Sequence, residues 1–530
     1  MYWLTSFCTK LTHGHRRTRR RKCIRSQQGL TCDYCAARGL DCHLSAETVF
    51  QSDGYETIVP WRSHALTHKS KLLPPTDLCL ELIHLYFRYV HVSFHVLFHK
   101  PSFLDAYARG SLPRILLLAV MGLAARFARH ASLAATPPRE RGRRFVKEAE
   151  RLLDLHDMSL TTIQACLMLG AAAVVEGGRA TESVYFSIAC RTALLIDLPN
   201  IAAPTLVEEE VNRRVWWTVY ETDTWSSTAV RLPKMMPFRN IPLPMAEDVF
   251  LGLPLTQPAV ASPDSHRPVA DQLPVPSPDS LIAQAMTIGF TLSKIDQINS
   301  RAASGLVKYV DLIQEVDCIW RELHRWHSNL PANLVNTPDN IVYWSSKNQG
   351  NLFVFLHMNY YHLCQLLFYQ FIYHSAHDKE CPPLALEFAA RCRDASSQLC
   401  ELLHAASASP HTELLNSLVG HVLTIASTVQ LHILLFGEKD AETQNARRLL
   451  ERNFALLTRL EVYWPCLDIS FARLEAFHEA CARFQDGSQF RMDQWMLTFL
   501  LEFATAVPRN RTAESNTVSH NSWRNILGGR

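Results

Sequence analysis

Four thiols crowd one short stretch of this 530-residue chain: Cys23, Cys32, Cys35 and Cys42, separated by eight, two and six residues. Thiolates at such spacing converge on a tetrahedral Zn²⁺ with little loop strain. The metal then supplies the folding energy that so short a segment cannot draw from an apolar core. Seven of the ten residues at 16–25 are arginine or lysine. Metal ligands beside so dense a positive run point to nucleic acid, because its phosphates form the polyanion that such a run neutralises. Two blander readings stay open: a basic cluster of this length also serves as a nuclear-import signal, and four free cysteines can lie in a metal-free basic segment.

Residues 1–44 carry nine basic side chains (Lys10, Arg16, Arg17, Arg19, Arg20, Arg21, Lys22, Arg25, Arg38) against Asp33 and Asp41, a net charge of +7. The whole chain is +3, which leaves −4 for residues 45–530. This asymmetry describes a small nucleic-acid-binding head on a near-neutral body, with an affinity that falls steeply as salt rises.

The spacing of Cys23, Cys32, Cys35 and Cys42 resembles the last four cysteines of the fungal Zn2Cys6 binuclear-cluster transcription factors. Counted back in that pattern, the first two cysteines fall at positions 13 and 16, where His13 and Arg16 stand. In the family two cysteines bridge the zinc pair; Cys32 matches one bridge and the other is absent. His13 can serve only as a terminal ligand, a guanidinium at Arg16 ligates nothing, and Cys8 and His15 are the other nearby donors. Three explanations stay open: a start that differs from MYWLTSFCTKLTHGH, a single-zinc site of four thiolates, or a decayed cluster that no longer binds DNA. The resemblance implies that the residues after the second family cysteine open a helix in the major groove at CGG-type sites of double-stranded DNA. Carried over by position, Arg19 and Arg20 stand where base edges are read, and Arg17, Arg21 and Lys22 where phosphates are held.

The elements behind this segment read as helices. An apolar share of 48% with 10% aromatics can bury a large core. Ten further cysteines, scattered singly from Cys79 to Cys481, read as free, small core residues of a reducing compartment. The first residues lack the pattern of a secretory signal. The apolar stretches at 116–128 and 165–175 are too short to span a bilayer. No membrane association is expected.

Residues 45–75 read as a linker without apolar heptads. A coiled coil that would pair two copies is therefore not supported there, and a homodimer stays open. After Pro74 and Pro75, with Thr76 or Asp77 as N-cap, Leu78, Leu82, Leu85, Tyr86 and Tyr89 repeat at helical spacing. Comparable patterns at 114–130, 142–155, 159–176, 182–196, 208–230, 280–300, 305–328, 351–375, 385–406, 411–436, 444–462, 467–484 and 492–506 predict an all-α body over 76–510. It carries one Pro-rich loop at 232–278 and is followed by a flexible tail at 511–530.

Residues from about 78 to 300 resemble the fungal-specific transcription factor domain found behind such clusters. LYFRYVHVSFHVLFHKPSF at 85–103 matches its opening, Ile163, Gln164 and Ala165 with Leu167, Leu169, Ala189, Arg191, Ala193 and Leu198 its central helices, and RRVWWTVYETD at 213–223 its best-known motif. Arg231-Leu232-Pro233 stands where Gly-Arg-Pro is usual. The resemblance implies a nuclear regulator of RNA polymerase II genes, commonly of a metabolic or secondary-metabolite pathway. The rival is a helical co-regulator with a degenerate zinc head that never touches DNA.

The motif residues themselves have a structural reading. Trp216 and Trp217 at helical spacing predict core, and Arg213 and Arg214 are expected to pair with acids at 208–210. His84, His91, His95 and His99 invite a metal reading, since 91, 95 and 99 lie at i, i+4, i+8, but no acid lies among them and the resemblance implies a helix break within the stretch. The chain has no Asp-Asp pair and no GxxxxGK[ST], GxSxG, GxGxxG or HExxH motif, so no enzyme class finds support.

Overall fold

The computed structural model describes residues 73–91, 95–259, 277, 280–374, 381–409, 412–437, 439–482 and 496. The segments at 1–44, 45–72 and 511–530 lie outside them. Among the described residues there are seventeen α-helices and no strand, apart from an isolated antiparallel bridge between Thr205 and Pro258. The all-α expectation for the body holds.

The N-terminal half runs through α1 (Thr76–Tyr89), α2 (Lys100–Ala108), α3 (Arg114–Ala124), α4 (Arg143–Leu152), α5 (Leu160–Val175), α6 (Arg179–Leu195) and α7 (Leu206–Val230). A short α8 (Glu247–Leu251) and the pair α9 (Leu281–Gly289) and α10 (Leu292–Ala303) complete it. The C-terminal half holds α11 (Tyr309–Ser328), α12 (Pro338–Ser346), α13 (Gly350–Phe368), α14 (Pro383–Ala408), α15 (Ser417–Phe436), α16 (Asp440–Glu461) and α17 (Leu467–Ala482). Several starts follow from side chains that accept an otherwise unbonded N–H: Ser159 from Thr162, Ser280 from Ala283 and Thr337 from Asn340. At α1 the N-cap is Pro75, without a side-chain bond, and neither Thr76 nor Asp77.

Three helices have no polar face and form the centre, as a helix apolar all round must. In α5 twelve of sixteen residues are buried, in α13 fifteen of nineteen and in α15 fifteen of twenty. Helix α5 packs between α3 and α6, α13 between α9 and α14, and α15 among α14, α16 and α17. Polar residues of α15 are satisfied internally: Thr424 Oγ1 donates to Gly420 O (2.7 Å), and Thr428 Oγ1 lies 2.7 Å from the Tyr369 hydroxyl. Where α3 meets α4, a Cβ on Gly142 would stand 1.9 Å from Gly122 O, so this crossing admits only glycine.

The two halves are joined through their interiors. Buried Arg126 donates to Tyr463 O (2.9 Å) and lies 4.3 Å over the Trp464 ring, Cys466 N donates to Val175 O (3.0 Å), and Asn299 Nδ2 donates to Leu366 O (2.9 Å). Helix α15, longer than either apolar stretch picked from the sequence, is the one helix among the described residues long and apolar enough to cross a membrane. Its apolar window is 78% buried inside the domain. Of the ten scattered cysteines seven are buried, Cys381 and Cys466 are half-buried, and Cys318 is exposed; all ten are free.

The expected helix at 280–300 is two helices, broken at Phe290 and Thr291. Helices α2, α8 and α12 were not expected, and all three are short. The expected segment at 492–506 lies outside the described residues except for Met496.

Candidate functional site

The candidate zinc ligands Cys23, Cys32, Cys35 and Cys42, and the candidate DNA contacts Arg17, Arg19, Arg20, Arg21 and Lys22, lie outside the described residues. Within them, charged and aromatic groups converge on α7, the helix that carries the RRVWWTVYETD motif. Its start is fixed by a capping box: Thr205 Oγ1 accepts from Glu208 N (3.3 Å), and Glu208 Oε2 accepts from Thr205 N (3.0 Å). Glu208 is thus occupied by the cap, leaving Glu209 and Glu210 to the arginines.

Arg213 pairs with Glu209 (2.8 Å) and with Glu210. Arg214 is wholly buried and spends its whole fork: Nε on Glu210 (2.9 Å), Nη1 on Glu247 of α8 (2.5 Å) and Nη2 on Met245 O (2.9 Å). Its guanidinium lies 3.9 Å over the Phe250 ring. Glu210 Oε1 also accepts from Met245 N (2.9 Å). Further along α7, Trp217 Nε1 donates to Pro242 O (3.0 Å), and Asp223 Oδ2 accepts from Met235 N (2.8 Å) and Met236 N (2.7 Å).

Arg214, Trp217 and Asp223 of the motif thus share one task, binding the backbone that follows α7 along the helix's own side. The first part of the Pro-rich insert, 232–259, is not the exposed loop that its prolines suggest: it carries the short α8 and is stitched down, with Met236, Glu247 and Phe250 buried; residues 260–276 lie outside the described residues. The departure at Arg231-Leu232-Pro233 acquires a physical meaning here. Arg231 closes α7 at φ 58°, the left-handed region that glycine enters freely and other residues enter at a cost. Its side chain offsets that cost by reaching Ser300 Oγ (2.7 Å) and Asp296 (3.4 Å).

Replacing Asp223 by alanine is expected to strip one buried and one half-buried N–H group of their acceptor and to lower stability by about 1–3 kcal/mol. Hydrogen exchange at the Met235 and Met236 amides checks this: protection lost there first supports the pinning role, and unchanged protection contradicts it. Asp223→Asn, which keeps one oxygen in place, should retain part of the protection.

The histidines divide in the way their packing requires. His91 Nε2 accepts from Phe98 N (3.1 Å), His99 Nδ1 accepts from Ser102 N and caps α2, and His84 is exposed on α1. Burial holds His91 down to about 4 and His95 to about 3. Among the described residues no group of three or more His, Cys, Asp or Glu side chains could hold a metal ion. The i, i+4, i+8 pattern is a packing pattern, with α1 ending before it begins.

Beside the pinned segment sits a second cluster that the sequence did not reveal. Lys234 lies 3.3 Å over the Tyr220 ring, flanked by Glu221 and Asp223. Tyr220 packs against Trp217, Phe238 and Phe290 at 5.6, 6.2 and 5.9 Å. Burial raises Glu221 to about 7.

Residues 83–301 match the family model described as the fungal specific transcription factor domain. This interval takes in the second half of α1, all of α2 to α9 and nearly all of α10, and so the whole network around α7. An uncharacterized transcriptional regulatory protein of Schizosaccharomyces pombe is 24% identical over 458 residues, 78% of this chain and 54% of its own length. A second such protein of the same yeast is 25% identical over 324 residues, 56% of this chain and 32% of its own. A Zn(2)-C6 fungal-type transcription factor of Fusarium oxysporum f. sp. lycopersici is 25% identical over 203 residues, 35% of this chain and 22% of its own. The chain spans about half the length of the first relative and a third or less of the other two.

Proposed function

We propose that this chain is a nuclear regulator of transcription that binds zinc and double-stranded DNA through residues 1–44, with the helical body governing its activity or its partners. The observation that carries the reading is the match at 83–301 standing behind a segment that combines four cysteines with a basic run. Relatives named as transcriptional regulators support the same class. No catalytic role is assigned.

Cys23, Cys32, Cys35 and Cys42 fit one zinc, because four thiolates complete a tetrahedral structural site. They do not fit a zinc pair, because His13 adds at most one terminal nitrogen and Arg16 adds none. Bound there, zinc would supply folding energy to the module, while recognition falls to the arginines. Arg19 and Arg20 would each offer a two-pronged donor to guanine O6 and N7, and Arg17, Arg21 and Lys22 would neutralise phosphates. RNA polymerase II genes, CGG-type sites and control of a metabolic or secondary-metabolite pathway belong to the same proposal.

Replacing Arg19 or Arg20 by alanine is expected to cost about 1–3 kcal/mol of binding to a CGG-containing duplex and to flatten its preference over a scrambled duplex. Replacing Arg17 or Lys22 by alanine should weaken both duplexes alike and reduce the salt slope by about one. Fluorescence anisotropy across a salt series separates these effects, and an unchanged preference in the Arg19 and Arg20 variants contradicts the assignment.

A second reading, a helical co-regulator that does not touch DNA, is favoured by His13 and Arg16 standing where the first two cysteines would be. It predicts indifference to every duplex at low salt.

A further inference from the structure

The turn between α3 and α4 concentrates positive charge in a body that is otherwise acidic. Residues 126–151 hold eight basic side chains against Glu140, Glu148 and Glu150, although residues 45–530 together sum to −4. Several of these cations are already engaged: Arg139 forks onto Asp468 of α17 (3.0 and 2.9 Å), Arg143 pairs with Glu176 (3.1 Å) and Arg151 with Glu148 (3.3 Å). Arg141 instead folds back on the turn, with Nε on Thr136 O (2.8 Å) and Nη1 on Ala128 O (2.6 Å), and among the described residues it has no acidic partner. The residue it embraces, Thr136, is half-buried between exposed Ala135 and exposed Pro137, and is held otherwise by its own N on Leu133 O (3.1 Å). Thr136 Oγ1 makes no hydrogen bond among the described residues and is not one of their buried atoms, so water reaches it. The chain here reads Thr136-Pro137-Pro138-Arg139, a threonine followed directly by proline with a cation in third place, which is the pattern that proline-directed protein kinases accept. The other Thr-Pro pair among the described residues, Thr337-Pro338, differs on each count: its Oγ1 accepts from Asn340 N (3.2 Å) as the cap of α12, and Asp339 and Asn340 follow it.

We propose that Thr136 is a phosphorylation site for a proline-directed serine/threonine kinase, and that Arg141 and Arg139 form the receptor for its phosphate. In the transfer Thr136 Oγ1 attacks the γ-phosphorus of ATP. The O–P bond forms as the bond from phosphorus to the β,γ-bridging oxygen breaks, the hydroxyl proton passes to the kinase's catalytic carboxylate, and ADP leaves. The dianion arrives beside a guanidinium that already touches Thr136 and has no carboxylate of its own, where charge-assisted hydrogen bonds favour it. Arg139, three residues on, is drawn from Asp468 toward the phosphate, which releases the tie between this turn and α17. The proposal goes beyond the DNA-binding reading and does not depend on it.

The test uses the full chain with a purified proline-directed kinase and MgATP, and peptide mass spectrometry to locate the phosphate. Thr136 is expected to be modified about tenfold faster than Thr337, whose hydroxyl must first leave its cap. Phosphorus-31 NMR then follows the phosphate, its signal identified by its absence from Thr136→Val. The second phosphate pKa, about 6 in an unfolded chain, should fall by about half a unit in the fold. That fall should be lost in urea and in Arg141→Ala and kept in Arg144→Ala, since Arg144 lies over the Phe145 ring and does not touch Thr136. Hydrogen exchange at the Leu467 and Ile469 amides, at the start of α17, should quicken on phosphorylation of the native sequence and stay unchanged on phosphorylation of Asp468→Asn, where the tie is already gone. Thr136 modified no faster than Thr337, a phosphate pKa as high in the fold as in urea, or exchange at Leu467 and Ile469 unmoved by the phosphate would each overturn the proposal.

Discussion

Mild acidification is expected to unfold the helical domain cooperatively, with helical circular dichroism lost around pH 5. Six histidines no more than 8% exposed carry the effect: His91, His95, His357, His362, His404 and His432. Burial depresses each of them, His95, His362 and His432 to about 3 and His91, His357 and His404 to about 4. Their surroundings suit the neutral ring. His362 stacks on Trp225 (6.0 Å), meets His421 edge-on (5.3 Å) and accepts from Gln365 Nε2 (3.0 Å); His357 Nε2 donates to Leu334 O (2.9 Å), and His404 Nε2 to Asn453 Oδ1 (2.8 Å). A histidine held below its unfolded pKa contributes stability that is present above about pH 6.5 and lost as pH falls toward the folded value. At pH 5 each such group costs about 2 kcal/mol, because the unfolded ring binds a proton that the folded one refuses.

Buried carboxyls act in the opposite direction. Glu182 and Glu221, both raised to about 7 by burial, hold protons in the fold that the unfolded chain releases, and so favour the fold as pH falls from about 7 toward 4.5. Burial raises Asp223 and Asp296 too, and it lowers His99, His327, His421 and His478 beside the six; the histidines outnumber the carboxyls, so the balance stays on the destabilising side, and domains of ordinary stability hold only about 5–15 kcal/mol in reserve. A helical signal that persists unchanged to pH 4 would contradict these assignments.

Arg214→Ala carries the second large effect. The substitution leaves Glu210 and Glu247 as buried carboxylates without the guanidinium that spans them, and it opens space under Phe250. Breaking a buried ion pair from one side costs about 3–5 kcal/mol, since the remaining charge keeps its desolvation penalty. Arg213 still touches Glu210 but has no contact with Glu247, so it cannot take over the bridge. Urea denaturation should show the loss, and proteolysis should cut first within 233–247, the segment the network holds. A cost below about 1 kcal/mol would mean that water replaces the arginine freely.

Much of this arrangement is legible in the sequence, and the remainder is hidden for identifiable reasons. The periodicity of α5, α7, α13 and α15 shows through because a long helix buried on most sides repeats its apolar residues many times. The pairing of Arg213 and Arg214 with acids one turn upstream follows from helical spacing, although Glu208 closes the cap and Glu209 and Glu210 take the arginines. Glu247 lies 33 residues from Arg214 in a stretch without periodicity, so no local rule joins them. Helix α2 has nine residues, started by His99 as cap with Pro101 in its first turn, and α12 has nine behind Thr337 and Pro338, too short for a repeat to register. The break between α9 and α10 falls where a Cβ on Gly289 would stand 3.2 Å from Glu221 Oε1, a contact set by α7. The left-handed Arg231 explains why glycine suits that position, which the sequence alone presents only as a departure.

The most direct test of the regulatory reading is zinc content by elemental analysis of the purified full chain, paired with binding to CGG-containing duplexes at low ionic strength. One zinc per chain, lost together with duplex binding in Cys35→Ser, is the expected result. A chain that carries no zinc and binds no duplex offered would contradict it.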